Sequence, residues 1–168
     1  MISKGYTLWL VPAGQVFKKF NALIQKLAKE NNAPVFCPHI TLLGEIMLPR
    51  DECIKKTIEL VKDQRPFTVA LETIGYQDYY FRTLFVYAKK SPQLVKLHER
   101  AKEIFNMKIP PFMPHLSLLY GLFPQEIKDK IIKEIGKDQS AEFEIGKVIL
   151  IKGGEIKDWK IVAEFPLR

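Results

Sequence analysis

The chain of 168 residues is long enough for one domain or two small lobes, and its apolar content of 47% and charged content of 27% are those of an ordinary globular protein. Its 26 basic and 19 acidic residues give a net charge of +7, but the two signs are interleaved, which predicts a solvated surface rather than a duplex-binding patch. The sequence contains neither a stretch of ~20 apolar residues nor cysteine spacings typical of zinc sites or disulfide frameworks, so we expect a cytoplasmic protein that is kept reduced and does not span a membrane.

The first half of the chain alternates strand and helix patterns. A strand over residues 6–11 precedes a helix that begins near Val16, repeats apolar residues every three or four positions and ends at Asn31-Asn32. The patterns that follow predict, in order, a strand over 39–46, a helix over 50–62, strands over 67–76 and 82–89, and a polar-aromatic turn or bulged strand end over 77–81.

The second half again combines helix and strand patterns. Ser91 and Pro92 predict the N-cap and first position of a helix that Pro110-Pro111 end. The remaining patterns predict a strand over 115–120, a helix from Pro124 to about residue 135, a strand over 142–151, a Gly153-Gly154 turn and an alternating strand over 159–165. Several connections are too short for parallel crossovers, so about four helices and six or seven strands predict an α+β fold with antiparallel sheets.

One eight-residue motif occurs twice. Residues 36–43 read Phe-Cys-Pro-His-Ile-Thr-Leu-Leu and residues 112–119 read Phe-Met-Pro-His-Leu-Ser-Leu-Leu. In a strand, alternate residues share a face and lie about 6.6–7 Å apart, so His39 is expected beside Thr41 and His115 beside Ser117. The leucines would point to the opposite face and anchor each strand in the core.

Two imidazoles and two hydroxyls around one small space suit a phosphate ester. Hydroxyls can hydrogen-bond the non-bridging oxygens, while one imidazole takes a proton from water and the other donates one to the leaving oxygen. The alternatives are structural histidines beside proline turns, or a metal site, which two histidines without a third ligand support poorly.

Two other residues are predicted to stand outside this chemistry. His98 lies at the edge of a helical stripe without a hydroxyl two residues later, so we expect a surface or boundary residue whose replacement by alanine has little effect. Cys37 corresponds to Met113 in the second motif, which favours a space-filling role over a Cys–His pair.

The two motifs resemble those of the two-histidine (2H) phosphoesterase superfamily, and especially its cyclic phosphodiesterase branch. The resemblance covers nearly the whole chain and includes Tyr6-x-x-Trp9-x-x-Pro12, both His-x-Thr/Ser strands and Trp159. Residues 42–45, Leu-Leu-Gly-Glu, also resemble the RNA 2′,3′-cyclic phosphodiesterase branch, which leaves an RNA end open as the substrate.

The resemblance implies a bilobal two-histidine phosphoesterase (LigT-like) fold, with two antiparallel sheets forming a central cleft and helices outside. We expect residues 1–168 to form a single domain of two pseudo-symmetric lobes, and a monomer. The implied reactions need no cofactor and no metal: they open nucleoside 2′,3′-cyclic phosphates to 2′-phosphates and ADP-ribose 1″,2″-cyclic phosphate to ADP-ribose 1″-phosphate.

By position, the resemblance makes His39 and His115 the acid/base pair and Thr41 and Ser117 the phosphate ligands. It leaves open which histidine is the base; we expect His115 to activate water. It also implies that aromatic residues line the cleft and contact the substrate, at positions Trp9, Phe81 and Tyr120. For each of these residues, core packing is the alternative. Strand alternation from Ser117 places Tyr120 on the wrong face unless the strand ends or bulges after Leu119.

The residues and the resemblance leave three functions open. The leading one is a phosphodiesterase acting on a small cyclic-phosphate nucleotide; an RNA-end processing enzyme and a non-catalytic nucleotide-binding domain on the same fold are the alternatives. A basic groove leading away from the cleft would favour RNA.

Overall fold

The computed structural model describes all residues, 1–168, and contains four α-helices, eight strands and two short 3₁₀ segments. The strands are β1 (Ser3–Leu10), β2 (Ile40–Ile46), β3 (Phe67–Tyr76), β4 (Leu84–Ala88), β5 (His115–Leu119), β6 (Asp138–Ile145), β7 (Lys147–Gly154) and β8 (Lys160–Pro166). The helices are α1 (Gly14–Glu30), α2 (Arg50–Val61), α3 (Pro92–Phe105) and α4 (Gln125–Ile135), and the 3₁₀ segments are Tyr80–Arg82 and Ile156–Asp158. The predicted α+β class is confirmed.

All strand pairs are antiparallel, in the order β6-β3-β4-β5-β2-β1-β7-β8. The structure thus contains one eight-stranded sheet where two sheets were predicted, because β2 and β5 pair at its centre. Each four-stranded half of this sheet has a motif strand on its inner side. The halves are joined through a single residue pair, Ile40 with Leu116, whereas β1 and β2 share four pairs. Beyond that one pair the central strands separate, and the space between them opens as a cleft.

The predicted strand over 142–151 is two strands. Gly146 alone separates β6 from β7, yet β6 pairs with β3 at one edge of the sheet and β7 pairs with β1 in the other half. The sheet must therefore curl until its two ends approach each other. The alternation of apolar Phe143 and Ile145 breaks at the glycine, because Lys147 follows where an apolar residue would be due and residues 148–151 are all apolar. The sequence therefore marks the boundary but not the change of partner strand.

The helices cover the face of the sheet to which the motif leucines point. Leu42 and Leu118 belong to a buried cluster of 30 residues that also contains Phe20 and Leu27 of α1 and Leu97 of α3. The predicted start of α3 is confirmed, because the Ser91 hydroxyl accepts a hydrogen bond from the Leu94 amide and Pro92 is the first helical residue. The opposite, helix-free face carries the polar motif residues.

The buried cluster includes residues of both halves, such as Leu10 and Val86, and this shared core supports the description as one domain of two lobes, which stays a prediction. None of the helices combines the length and apolar character needed to cross a bilayer.

The joint between the halves predicts a stability difference between two leucine substitutions. Leu116→Ala empties a site that is 0% exposed at the only pair linking β2 and β5, and should lower the free energy of unfolding by about 2–5 kcal/mol. The same change at Leu122, which is 72% exposed, should alter it by less than about 0.5 kcal/mol. Urea unfolding of both variants measures this; equal effects would show that the joint does not contribute to stability as described.

Candidate active site

The register of the two central strands gathers the four polar motif side chains. With Ile40 opposite Leu116, continuing the antiparallel register sets His39 opposite Ser117 and Thr41 opposite His115. Residues opposite each other point to the same face, so both imidazoles and both hydroxyls lie on the cleft side. They line one cavity of about 400 Å³, together with Trp9, Phe81 and Tyr120. The structure therefore places all seven predicted site residues in one cleft.

Each histidine is held in the same way. Nδ1 of His39 donates to the backbone carbonyl of Cys37 at 2.7 Å, and Nδ1 of His115 donates to that of Met113 at 2.7 Å. Because a carbonyl can only accept, Nδ1 carries the proton in both neutral rings and Nε2 is left free for proton transfer. The acceptor is the backbone carbonyl two residues earlier, so the side chain at that position can differ between the motifs. The predicted space-filling role of Cys37 is wrong, because its side chain is exposed.

The surroundings of the two imidazoles differ. Trp9 stacks on His39 with ring centroids 3.7 Å apart and an angle of 11° between the planes. Burial lowers the pKa of His39 to about 4; the hydrogen bond to Cys37 opposes this shift, and the charge of His115 adds to it. Burial also lowers the pKa of His115. The charge of Arg82 lowers it further, whereas the hydrogen bond to Met113 raises it. Both rings are therefore neutral at pH 7 in the free protein.

The two hydroxyls are not equivalent either. Ser117 is buried and donates to the Phe81 carbonyl at 3.1 Å, so it must turn to donate to a bound phosphate. Thr41 is half-buried and lines the cleft, and its hydroxyl makes no hydrogen bond within the protein. Thr41 is therefore the donor that is free before a ligand binds.

Tyr120 reaches the cleft because β5 ends at Leu119. Its ring stacks on Phe36, with centroids 3.7 Å apart, and burial raises the pKa of its hydroxyl. The exception allowed by the sequence, a strand that ends before Tyr120, is what the structure contains. Phe81 belongs to the 3₁₀ segment that follows β3, and its ring meets that of Tyr120 edge-on with centroids 5.2 Å apart.

Trp159, Tyr79 and Arg82 are among the residues of the cleft wall to which sequence reasoning assigned no site role. Trp159 lies just before β8, meets Trp9 edge-on at 5.3 Å and donates its indole N–H to the Ser3 hydroxyl at 2.8 Å. Arg82 lies over the Tyr79 ring at 5.5 Å. The signal for Trp159 was its place in the family pattern, whereas the segment around Arg82 shows no periodicity that would orient it.

The prediction that His98 is a surface or boundary residue is wrong. Its side chain is 2% exposed and borders the cleft from α3. Nδ1 donates to the Leu42 carbonyl at 2.8 Å, the ring stacks on Phe112, and Nε2 has no hydrogen-bond partner. The helical pattern misled because the segment containing Phe112 covers this side of α3, and sequence periodicity does not report that contact.

A second groove of about 930 Å³ adjoins the cleft and shares Trp9, Ile151 and Trp159 with it. It runs over the inner face of β7 and β8 and is mainly apolar, with Ile149 and Ile161 among its walls. Its charged residues are two lysines and two glutamates, namely Lys147, Lys157, Glu144 and Glu164. The groove is therefore balanced in charge rather than basic.

Comparisons with known proteins agree with this architecture. The cyclic phosphodiesterase of Arabidopsis thaliana is 27% identical over 94% of this chain and 92% of its own. The 2′,3′-cyclic-nucleotide 3′-phosphodiesterase of Kluyveromyces lactis is 23% identical over 95% of this chain and 97% of its own. The crystal structure of Escherichia coli LigT complexed with 3′-AMP has a TM-score of 0.65 at 12% identity, covers 98% of both chains and shows the shared fold.

The family comparison extends over almost all of the sequence. Residues 4–167 match the family described as "Cyclic phosphodiesterase-like protein". The predicted two-histidine phosphoesterase fold, its cyclic phosphodiesterase branch and the enzyme class are thereby confirmed. The chain belongs to the cyclic phosphodiesterase-like protein family.

Proposed function

We propose that the protein hydrolyses nucleoside 2′,3′-cyclic phosphates to 2′-phosphates, and ADP-ribose 1″,2″-cyclic phosphate to ADP-ribose 1″-phosphate. The observation that carries this proposal is the pair of imidazoles, each held by a backbone carbonyl and each beside a hydroxyl. Both lie on one face of the two strands that pair at Ile40 and Leu116. Family membership supports hydrolysis of a cyclic phosphodiester, and the Kluyveromyces lactis relative is named for the 3′ bond of a 2′,3′-cyclic nucleotide.

The four polar side chains divide the reaction between them. Thr41 and Ser117 donate hydrogen bonds to the non-bridging phosphate oxygens, and Ser117 leaves the Phe81 carbonyl to do so. One imidazole takes a proton from water through Nε2 as the water oxygen attacks phosphorus. The other donates a proton from Nε2 to the 3′ oxygen as the phosphorus–oxygen bond breaks. After the reaction the base carries a proton and the acid has lost one, so the number of protons on the pair is unchanged.

We assign His115 as the base and His39 as the acid. His115 is only half-buried, so water reaches it more readily than His39, which is 5% exposed beneath Trp9. In that dry position His39 holds a proton poorly until an anionic phosphate lies beside it, because an opposite charge raises the pKa of an imidazole. The acid would thus become charged together with substrate binding.

The dimensions and lining of the cleft favour a small nucleotide. A cavity of about 400 Å³ lies in the range of small-molecule sites. Of the three predicted aromatic residues, the half-buried Phe81 offers ring surface to a base or ribose, whereas Trp9 and Tyr120 are only 6% and 3% exposed. The solved relative LigT was crystallised with 3′-AMP, a nucleotide of this size. The adjoining groove lacks the excess of basic residues that an RNA strand would favour, because its two lysines are balanced by two glutamates.

The direct test is phosphorus NMR of adenosine 2′,3′-cyclic phosphate incubated with the protein in EDTA. Appearance of the 2′-monophosphate establishes the reaction, the bond that breaks and independence from added metal, which until then stays a prediction. An unchanged cyclic signal that persists with ADP-ribose cyclic phosphate and with RNA bearing a cyclic end would overturn the proposal and favour a binding domain. A monomer, also a prediction, is checked by sedimentation of the same sample.

Removing either imidazole should abolish most turnover. His39→Ala and His115→Ala should each lower kcat by at least about a hundredfold, because each loses one proton-transfer step. Thermal unfolding of both variants checks that the fold persists. A variant that folds and keeps most of its activity would remove that histidine from the mechanism.

A sulfur leaving group separates the acid from the base. In a cyclic phosphorothiolate with sulfur at the 3′ position, the leaving thiolate needs no proton, since thiols have a pKa near ~8.5. His39→Ala should then recover to within about tenfold of the unmodified enzyme, whereas His115→Ala should stay at least about a hundredfold slower. Recovery of His115→Ala instead would exchange the two roles.

The lowered histidine pKa values predict an acidic optimum for kcat/KM. The reactive free enzyme carries one proton on the pair, and both histidines lose their proton below pH 6.5. The kcat/KM should therefore be highest between about pH 4 and 6.5 and fall by about tenfold per pH unit well above pH 6.5. A plateau of kcat/KM that extends beyond pH 7.5 would contradict this.

A further inference from the structure

The central strands lack a ladder where the cleft opens. Beyond Ile40 and Leu116, residues 42–45 of β2 and the segment 109–113 before β5 face each other across the cleft and line it from both sides. The ladder hydrogen bonds that would fix the strand spacing in a continuous sheet are missing over this span. Over this span the separation of the two motif strands therefore depends on side-chain contacts rather than on a ladder.

His98 touches both sides of this opening. Its Nδ1–H donates to the carbonyl of Leu42, at 2.8 Å, and Leu42 follows His39 by three residues. Its ring lies on that of Phe112, with centroids 3.8 Å apart and planes 5° from parallel, and Phe112 precedes His115 by three residues. One buried side chain on α3 thus links the strand of each candidate catalytic histidine where the strands do not bond to each other.

The choice of histidine here is not explained by packing alone. A phenylalanine would keep the stack on Phe112 and would avoid the buried Nε2, which has no hydrogen-bond partner. The feature that histidine adds is the donor to Leu42. Burial lowers the pKa of His98, so the ring is neutral at pH 7 and keeps its single proton on Nδ1, where that donor is needed.

We propose that His98 is a positioning residue that sets the distance between the two motif strands, and hence between His39 and His115. The proposal rests on the proposed function, in which both imidazoles must reach one phosphorus centre. Misplacement by a fraction of an ångström weakens proton transfer in the transition state more than it weakens binding of the substrate. Because His98 is only 2% exposed and its Nδ1–H is occupied by the Leu42 carbonyl, we assign it a positioning role rather than a catalytic one.

Two substitutions separate the functions of the ring. His98→Phe keeps the stack and removes the donor, and should lower kcat at least about tenfold while KM changes less than about twofold. His98→Asn keeps an N–H donor near the place of Nδ1 and should recover a large part of kcat. Hydrolysis of adenosine 2′,3′-cyclic phosphate by folded protein measures both constants.

Thr57 offers a matched control for the loss of one buried hydrogen bond. Thr57 is 0% exposed, and its hydroxyl donates to the Cys53 carbonyl at 2.7 Å within α2, away from the cleft. Thr57→Val should lower the unfolding temperature while kcat stays unchanged. If His98→Phe behaves in the same way as Thr57→Val, with wild-type kcat, the positioning role is overturned while the proposed function stands.

An NMR measurement tests the spacing without relying on turnover. The charge of His115 contributes to the low pKa of His39, so strands that move apart should let the pKa of His39 rise in His98→Phe. Imidazole titrations of the wild type, His98→Phe and Thr57→Val give this comparison even if no cyclic phosphate is hydrolysed. An unchanged pKa of His39 together with an unchanged kcat, or with an inactive wild type, would exclude the proposed role.

Discussion

The site depends on a single strand pair between two four-stranded halves. Ile40 and Leu116 bring β2 and β5 together, and the strands separate on the side where the cleft opens. A full ladder between them would close the space between the candidate catalytic histidines, whereas no pairing would leave the two motifs without a shared register. The one pair fixes which residues lie opposite each other, and the curl imposed by the one-residue Gly146 connection keeps the helix-free face concave. The strands position the polar motif residues, and loop and 3₁₀ residues such as Phe81 and Phe112 complete the cleft wall.

Each motif contains the backbone carbonyl that orients its own histidine for proton transfer. The carbonyls of Cys37 and Met113 occupy the same position relative to the two imidazoles and fix the same tautomer in both. Because these contacts come from the backbone, they tolerate the exchange of Cys for Met, and the proline between carbonyl and histidine limits the conformations open to the turn. The recurring Pro-His-x-Thr/Ser pattern therefore encodes a local geometry twice, independently of the rest of the chain.

This local encoding explains what the sequence could and could not predict. Strand alternation and the repeated frame were sufficient for the shared face of His39 and Thr41, and the periodicity of α1 and the Ser91-Pro92 start of α3 were read correctly. The split at Gly146 was missed although the alternation of Phe143 and Ile145 breaks there, because such a break does not reveal a change of partner strand. His98 and Arg82 were misjudged or passed over for a related reason: their positions depend on segments distant in sequence, and no periodic pattern within their own elements carries that information.

A twofold repeat by itself would give two equivalent imidazoles, but the proposed reaction needs one that gives a proton and one that takes it. The difference comes from residues outside the repeat. Trp9, on β1, covers His39 and shields it from water, while Phe85 meets His115 edge-on and leaves that ring half-buried near the charge of Arg82. The hydroxyls diverge in the same way, since only Ser117 is engaged by the Phe81 carbonyl. The motifs thus supply matched reactive groups, and the flanking elements β1, β4 and the 3₁₀ segment at Tyr80–Arg82 make them unequal, which is what acid–base catalysis by two identical side chains requires.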